Sequence, residues 1–225
     1  MTLEQFQSIV PMGQHSIVVV FGRPGSGKTS VSEKAAALHK QTVSIKPHTS
    51  GGVAASNSGG GITCLDLDVC VPQWMKDKFA RGVYPTPEQR KEFAIDACDY
   101  VNKQLDAINL RCDEKVIISF SFVNTDLRNI FRNHFPTATW VLINTSEATA
   151  QDRINRREGH FYKGIRNVES SEVEKGSVKR TSKTTADNSD WHFAPVDFDH
   201  IILDGLQSIE ENARKVILVL NSERR

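Results

Sequence analysis

The chain has 225 residues, 39% of them hydrophobic and 24% charged, with a formal net charge of +1 at pH 7. This suits one globular domain large enough to bury a full core beneath a five-stranded sheet. It excludes a general electrostatic pull toward nucleic acid or an acidic membrane surface.

In chain order, Ile17-Val18-Val19-Val20-Phe21 is a short β-branched run that reads as a buried parallel strand over 16–21. Next comes Gly22-Arg23-Pro24-Gly25-Ser26-Gly27-Lys28-Thr29, which fits G-x-x-x-x-G-K-[ST] at every fixed position. Val31, Ala35 and Leu38 then recur at helical spacing, so a helix is expected over 28–40. Residues 46–61 are rich in glycine and serine and read as a flexible insertion. A strand follows near 62–67, with Asp66 and Asp68 at its end, then helices near 74–81 and 87–109. Thr86 caps the second of these, Pro87 sits in its first turn, and Phe93, Ala97, Val101 and Leu105 form its apolar stripe. Strands near 115–120, 139–144 and 199–203 alternate with helices near 125–133, 146–157 and 207–221. That rhythm is the mark of an α/β fold, a parallel sheet with helices on both faces. Residues 158–190 interrupt it with a polar stretch of alternating charge, expected to be a mobile loop. The chain reads as a single domain, 1–225, with an acceptor-binding region at 66–110 and a lid with its polar loop at 153–190.

Strand, glycine loop, helix is the context in which this motif cradles phosphate. Backbone N–H groups of Gly22, Pro24-flanking Gly25, Ser26, Gly27, Lys28, Thr29 and Ser30 would curl around an anion at the positive end of a helix. Lys28 would reach the β- and γ-phosphates, and the Thr29 hydroxyl would ligate Mg²⁺. Asp66 and Asp68 are the only acids at a strand end. In a parallel sheet such ends form the ligand crevice, so Asp66 is expected to hold a metal-bound water and Asp68 to accept a proton from a substrate hydroxyl. Arg153 and Arg157 lie four apart and are expected to aim at one phosphate from a lid. Cys64, Cys70, Cys98 and Cys112 have no C-x-x-C spacing, so free thiols and a reducing compartment are expected. Met1 to Pro11 carries Glu4 without a basic start or a long apolar run, so no signal peptide is expected and the cytoplasm is the default location.

Four blocks in order resemble the small-metabolite kinases of the phosphate-loop class, most closely gluconate kinase, with shikimate kinase more distant. Asp66-Leu67-Asp68 followed by Pro72 stands where gluconate kinases carry D-G-D and then H-P. Met75-Lys76 and Arg81 to Arg90 resemble their K-M-x-x-G-x-P-L-T-D-x-D-R stretch. Ser121, Arg128 and Arg132 match a serine- and arginine-bearing segment, and Arg153, Arg157, Gly159, His160 and Phe161 resemble the lid signature R-x-x-x-R-x-G-H-F. The likeness covers residues 16–163. It implies a three-layer α/β/α P-loop kinase with strand order 2-3-1-4-5, using ATP and Mg²⁺ to phosphorylate a hydroxyl of a gluconate-like polyol or sugar acid. Lys28, Asp68 and Arg157 would be catalytic, and Asp66, Asp68, Arg81, Arg128 and His160 would meet the substrate. The chain departs from the pattern at Asn124-Thr125, where the relatives carry Lys-Arg, and at Val71, where they carry histidine. The basic grip on an acidic sugar is therefore missing, and another acceptor stays open.

Three rival readings remain at the level of sequence. A nucleoside monophosphate kinase would share the loop and the arginines, but two carboxylates repel an anionic acceptor. A polynucleotide 5′-hydroxyl kinase would need a basic groove. A nucleotide-binding regulatory module would bind without an acceptor. The expected partner is a small hydroxylated molecule, with no membrane and no nucleic acid; a homodimer is open, since relatives form them.

Overall fold

Strand β1 (Ile17–Phe21) is buried along its whole length and divides its side chains between two cores. Ile17, Val19 and Phe21 face one cluster, Val18 and Val20 the other, as period-2 alternation requires of a strand covered on both sides. In a computed structural model, which describes residues 16–44, 60–108, 114–158, 162 and 192–222, four further strands flank β1. They are β2 (Ile62–Asp66), β3 (Lys115–Phe120), β4 (Thr139–Asn144) and β5 (Ile201–Asp204). All pairings are parallel and the order is β2-β3-β1-β4-β5, the order expected of a P-loop kinase.

Helices α1 (Lys28–Ser44) and α6 (Ile209–Ser222) pack together over one face. There Val31, Ala35, Ala213, Val216 and Leu220 meet Val18 and Val20. Over the other face lie α2 (Gln73–Ala80), α3 (Pro87–Ile108) and α4 (Thr125–His134). The α3 stripe of Phe93, Ala97, Val101 and Leu105 is buried as its spacing demands. Its start is a capping box: the Gln89 N–H donates to Thr86 Oγ1, and the Thr86 N–H donates to Gln89 Oε1. A shorter helix, α5 (Glu147–Asn155), follows β4 and is capped by Ser146, which accepts from the Thr149 N–H. No helix among the described residues is long and apolar enough to cross a membrane.

The expected elements are all present, and the differences lie at their ends. Strand β2 stops at Asp66 because its carboxylate accepts the Asp68 N–H at 3.0 Å and turns the chain into a 3-10 helix over Leu67–Cys70. The two aspartates therefore do not extend from one strand face; the first caps the turn that carries the second. Most of the glycine-rich insertion expected at 46–61 and of the lid and polar loop at 153–190 lies outside the described residues, as do His160 and Cys112. Cys64, Cys70 and Cys98 are free.

Arg128 has a structural task. Only 1% exposed, it donates from Nε to the Phe122 carbonyl (2.8 Å) and from Nη2 to that of Val123 (3.1 Å). Its Nη1 reaches the carbonyls of Ala194 (2.9 Å) and Pro195 (2.8 Å). The guanidinium also lies over the rings of Phe193 and Phe21. Burial pulls its pKa down to about 10, with Asp197 opposing. Phe122 needs the support, because its φ of 39° is left-handed for a residue with a side chain, a strain on the order of 1–3 kcal/mol. Arg128→Met, which keeps the bulk and removes every donor, is expected to lower the unfolding free energy by about 3 kcal/mol. Denaturant unfolding measures this; a loss under about 0.5 kcal/mol would deny Arg128 that role.

Candidate active site

Parallel register brings the strand ends to one edge. Phe21 pairs with Phe120 and Leu142, and Asp66 pairs with Ser119. Gly22, Asp68 and Ser121 thus leave the sheet side by side. A cavity of about 380 Å³ opens there, floored by residues 24–31 and continuing on both sides of them.

The phosphate loop is held against α5 and β4 so closely that side chains are excluded. Gly25 has φ 81°, and a Cβ on it would stand 2.5 Å from the Ala150 carbonyl oxygen; one on Gly22 would stand 2.6 Å from that of Ile143. Both positions require glycine. The amides of Gly25, Gly27, Lys28, Thr29 and Ser30 have no acceptor among the described residues. Ser26 Oγ is buried and has none either. A buried hydroxyl without a partner is rare unless something else satisfies it, and a phosphate chain at a helix N-terminus would satisfy it together with the amides.

Lys28 lies under the same loop, its Nζ donating to the Arg23 carbonyl at 2.9 Å. Burial pushes its ammonium down from the usual lysine range to about 8; Asp68 and then Asp66 hold it up, and Arg157 adds to the lowering. Both aspartates and Lys28 line the same cavity. Thr29 Oγ1 donates to Asp66 Oδ2 at 2.7 Å. This hydroxyl–carboxylate pair is a set of hard oxygen donors of the kind Mg²⁺ takes from a protein when a substrate's phosphates supply other ligands. The residues fit the ion. Both Asp66 oxygens are engaged, by Thr29 and by the Asp68 amide, so Asp66 serves the loop side while Asp68 is left to line the acceptor side.

The remaining expected residues divide. Pro24 and Ser30 line the cavity; Gly22 shapes the loop without lining it. Arg153 lines it too, but its guanidinium is tied to the carbonyls of Ser26 (3.3 Å) and Gly205 (2.9 Å), so it braces the loop. Arg157, just past α5, lines the cavity with no side-chain partner among the described residues. Two expectations need correction. Arg81 caps the end of α2, is exposed, and donates from Nε to the Asp77 carbonyl at 3.1 Å, away from the cavity. Arg128 is consumed by the four carbonyls described above and does not line it. Arg90 reaches the acceptor side instead, held by Asp126 at 2.8 Å and by the Pro85 carbonyl. Phe120, Tyr162, Gln207 and Asn212 also line the cavity and carry no motif. They come from separate elements, so no local spacing could have joined them.

No protein-family model matches the chain, and no curated protein matches it. Solved structures do. A sugar kinase from Janibacter superposes with a TM-score of 0.60 at 19% identity, over 92% of this chain and 95% of its own. A gluconokinase from Sinorhizobium meliloti gives 0.52 at 17%, over 93% of each chain. The APS kinase of Mycobacterium tuberculosis, solved with AMPPNP and APS, gives 0.57 at 15%, over 92% and 98%. The chain has the P-loop kinase fold. At such identities the likeness extends to the fold and leaves the chemistry to this chain's own residues.

The lowered Lys28 pKa has two measurable consequences. Between about pH 8 and the ordinary lysine value of 10.5, the unfolded chain holds a proton that the folded one has lost, so this group's contribution to stability rises with pH across that window. The thermal midpoint of the nucleotide-free protein, relative to that of Lys28→Met, is expected to climb there. Triphosphate binding, which needs the charged amine, should weaken as pH rises above about 8, approaching about tenfold per unit, with proton uptake visible by calorimetry. A flat affinity from pH 7 to 10 would contradict this.

Proposed function

We propose that the protein transfers the γ-phosphoryl group of ATP to a hydroxyl of a small molecule. The observation that carries this reading is that one cavity holds an amide-lined phosphate loop with Lys28 and, facing it, the Asp68 carboxylate. A loop alone binds a nucleotide; a carboxylate lining the same cavity gives an incoming hydroxyl a proton acceptor. ATP is favoured by the likeness to a kinase solved with AMPPNP. The base would rest on the β4–β5 side, where Gly205, Gln207, Ile209 and Asn212 line the cavity. The acceptor would enter from the β2–β3 side, past Asp68. The near-neutral net charge of +1 favours a small metabolite as the partner.

In the step itself, the acceptor oxygen forms a bond to the γ-phosphorus as the bond to the β–γ bridging oxygen breaks. The leaving ADP takes that electron pair, and the hydroxyl proton passes to Asp68 and on to water. Lys28 and the loop amides hold the phosphate chain in line. Arg157, whose side chain has no partner among the described residues, would offset charge on the transferred group. Thr29 and Asp66 would hold Mg²⁺, which would supply positive charge against that developing on the transferred phosphoryl group. Two carboxylates beside the acceptor disfavour a phosphate as the group attacked. The gluconate-like acceptor suggested by sequence finds no basic grip at Asn124 and Thr125: Asn124 is buried at the start of α4, and neither residue lines the cavity.

Coupled measurement of ADP release tests the reading. Lys28→Ala should reduce acceptor-dependent turnover by about a hundredfold or more, as removal of one transition-state donor commonly does, with circular dichroism unchanged. Asp68→Asn should lower kcat by about 10²–10⁴ while leaving affinity for an ATP analogue nearly intact. Near-normal turnover in either variant rules the mechanism out.

A further inference from the structure

Resting on the kinase reading above, we infer that the acceptor is a ring-bearing alcohol, one that carries a planar aromatic group such as a nucleobase or aryl ring beside its hydroxyl, and not an open-chain polyol. The acceptor side of the cavity carries few polar groups. Met75 of α2, Phe93 of α3, Phe120 at the end of β3 and Leu127 of α4 line it, with Phe79 and Tyr162. Met75, Phe93 and Leu127 belong to the buried core, whereas Phe79, Phe120 and Tyr162 are only half-buried while lining the same space. Phe93 and Phe120 are tilted by 41° with centroids 5.2 Å apart; Phe79 and Tyr162 meet edge to face at 5.8 Å. Such pairs present ring faces and edges that a planar ligand meets in offset or edge-on contact.

An open-chain polyol fits this lining poorly. Each of its hydroxyls would leave water for a wall of carbon, and a buried polar group without a partner is unfavourable. Among the described residues, Asp68, Arg90, Ser121 and the Tyr162 phenol are the polar side chains on this side. Asp68 is needed by the reacting hydroxyl. Arg90 is fixed through Nε to Asp126 and through Nη1 to the Pro85 carbonyl, which leaves Nη2 without a partner among the described residues. It can serve a polar or anionic substituent of the ring-bearing molecule. An apolar body with a few fixed polar groups is the usual make-up of a site for a ring-containing ligand.

The test measures ADP release by the full chain with ATP and Mg²⁺ against three acceptors: adenosine, phenyl β-glucoside and gluconate. The expected result is a kcat/KM for at least one ring-bearing compound about tenfold or more above that for gluconate. Turnover of gluconate at an equal or higher rate overturns the acceptor class and leaves the kinase reading standing. No acceptor-stimulated ADP release with any of the three overturns the class, and the kinase reading is then judged separately by Lys28→Ala against residual ATP binding. Phe120→Leu keeps an apolar side chain and removes the ring; it should raise KM for the better ring-bearing acceptor about tenfold with KM for ATP changed less than about twofold. Phe79→Leu, in a different helix, provides the same comparison if Phe120→Leu is unstable. An unchanged acceptor KM in a folded variant overturns the inference.

Discussion

A hydrogen bond of 2.7 Å, from the hydroxyl of Thr29 to the carboxylate of Asp66, joins the phosphate loop to the tip of the neighbouring sheet half. Its two residues lie 37 positions apart in sequence, Thr29 in the first turn of α1 beyond β1 and Asp66 at the end of β2, and β3 runs between those two strands. The contact therefore exists only because the register of three parallel strands is correct. With it in place, the other Asp66 oxygen takes the Asp68 amide, the 3-10 turn forms, and Asp68 comes to line the cleft opposite Lys28. One side chain thus links metal-binding potential, turn geometry and the placement of the proposed base.

Three arginines near the cleft show how context divides one residue type into different tasks. Arg128 and Arg153 each spend their donors on backbone carbonyls, the first to hold a strained turn at Phe122 and the second to brace the loop against the segment after β5. A guanidinium so committed is costly to release, because its partners would be left buried and unsatisfied. Arg157, past the end of α5, has no such commitment among the described residues. Among those residues it has no side-chain hydrogen bond to break before moving toward a phosphate. The same economy applies to Lys28, whose charge is disfavoured by burial until an anion arrives. An anion held by the loop would favour its charged form.

Much of this was legible in the chain. The β-branched run before the glycine loop, the periodic stripe of α3 and the capping residue Thr86 placed the elements because each signal is local: strand alternation, helical spacing and terminal hydrogen bonds act within a few residues. The loop was legible for the same reason, as eight consecutive residues hold one phosphate chain. Arg81 and Arg128 misled because a matching letter says nothing about which way a long side chain turns.

What the sequence determined by itself, then, is the order of strands and helices, the phosphate loop, and the two acids where the second strand ends. These follow from periodicities and short-range backbone chemistry. Only the tertiary structure decided that Phe79, Phe93, Phe120 and Tyr162 gather beside Asp68, that Arg90 lines the acceptor side, and that Arg128 is buried under carbonyls. Those facts depend on distances between residues far apart in the chain, set by the packing of helices on a twisted sheet, and packing leaves no short-range mark for a spacing rule to read.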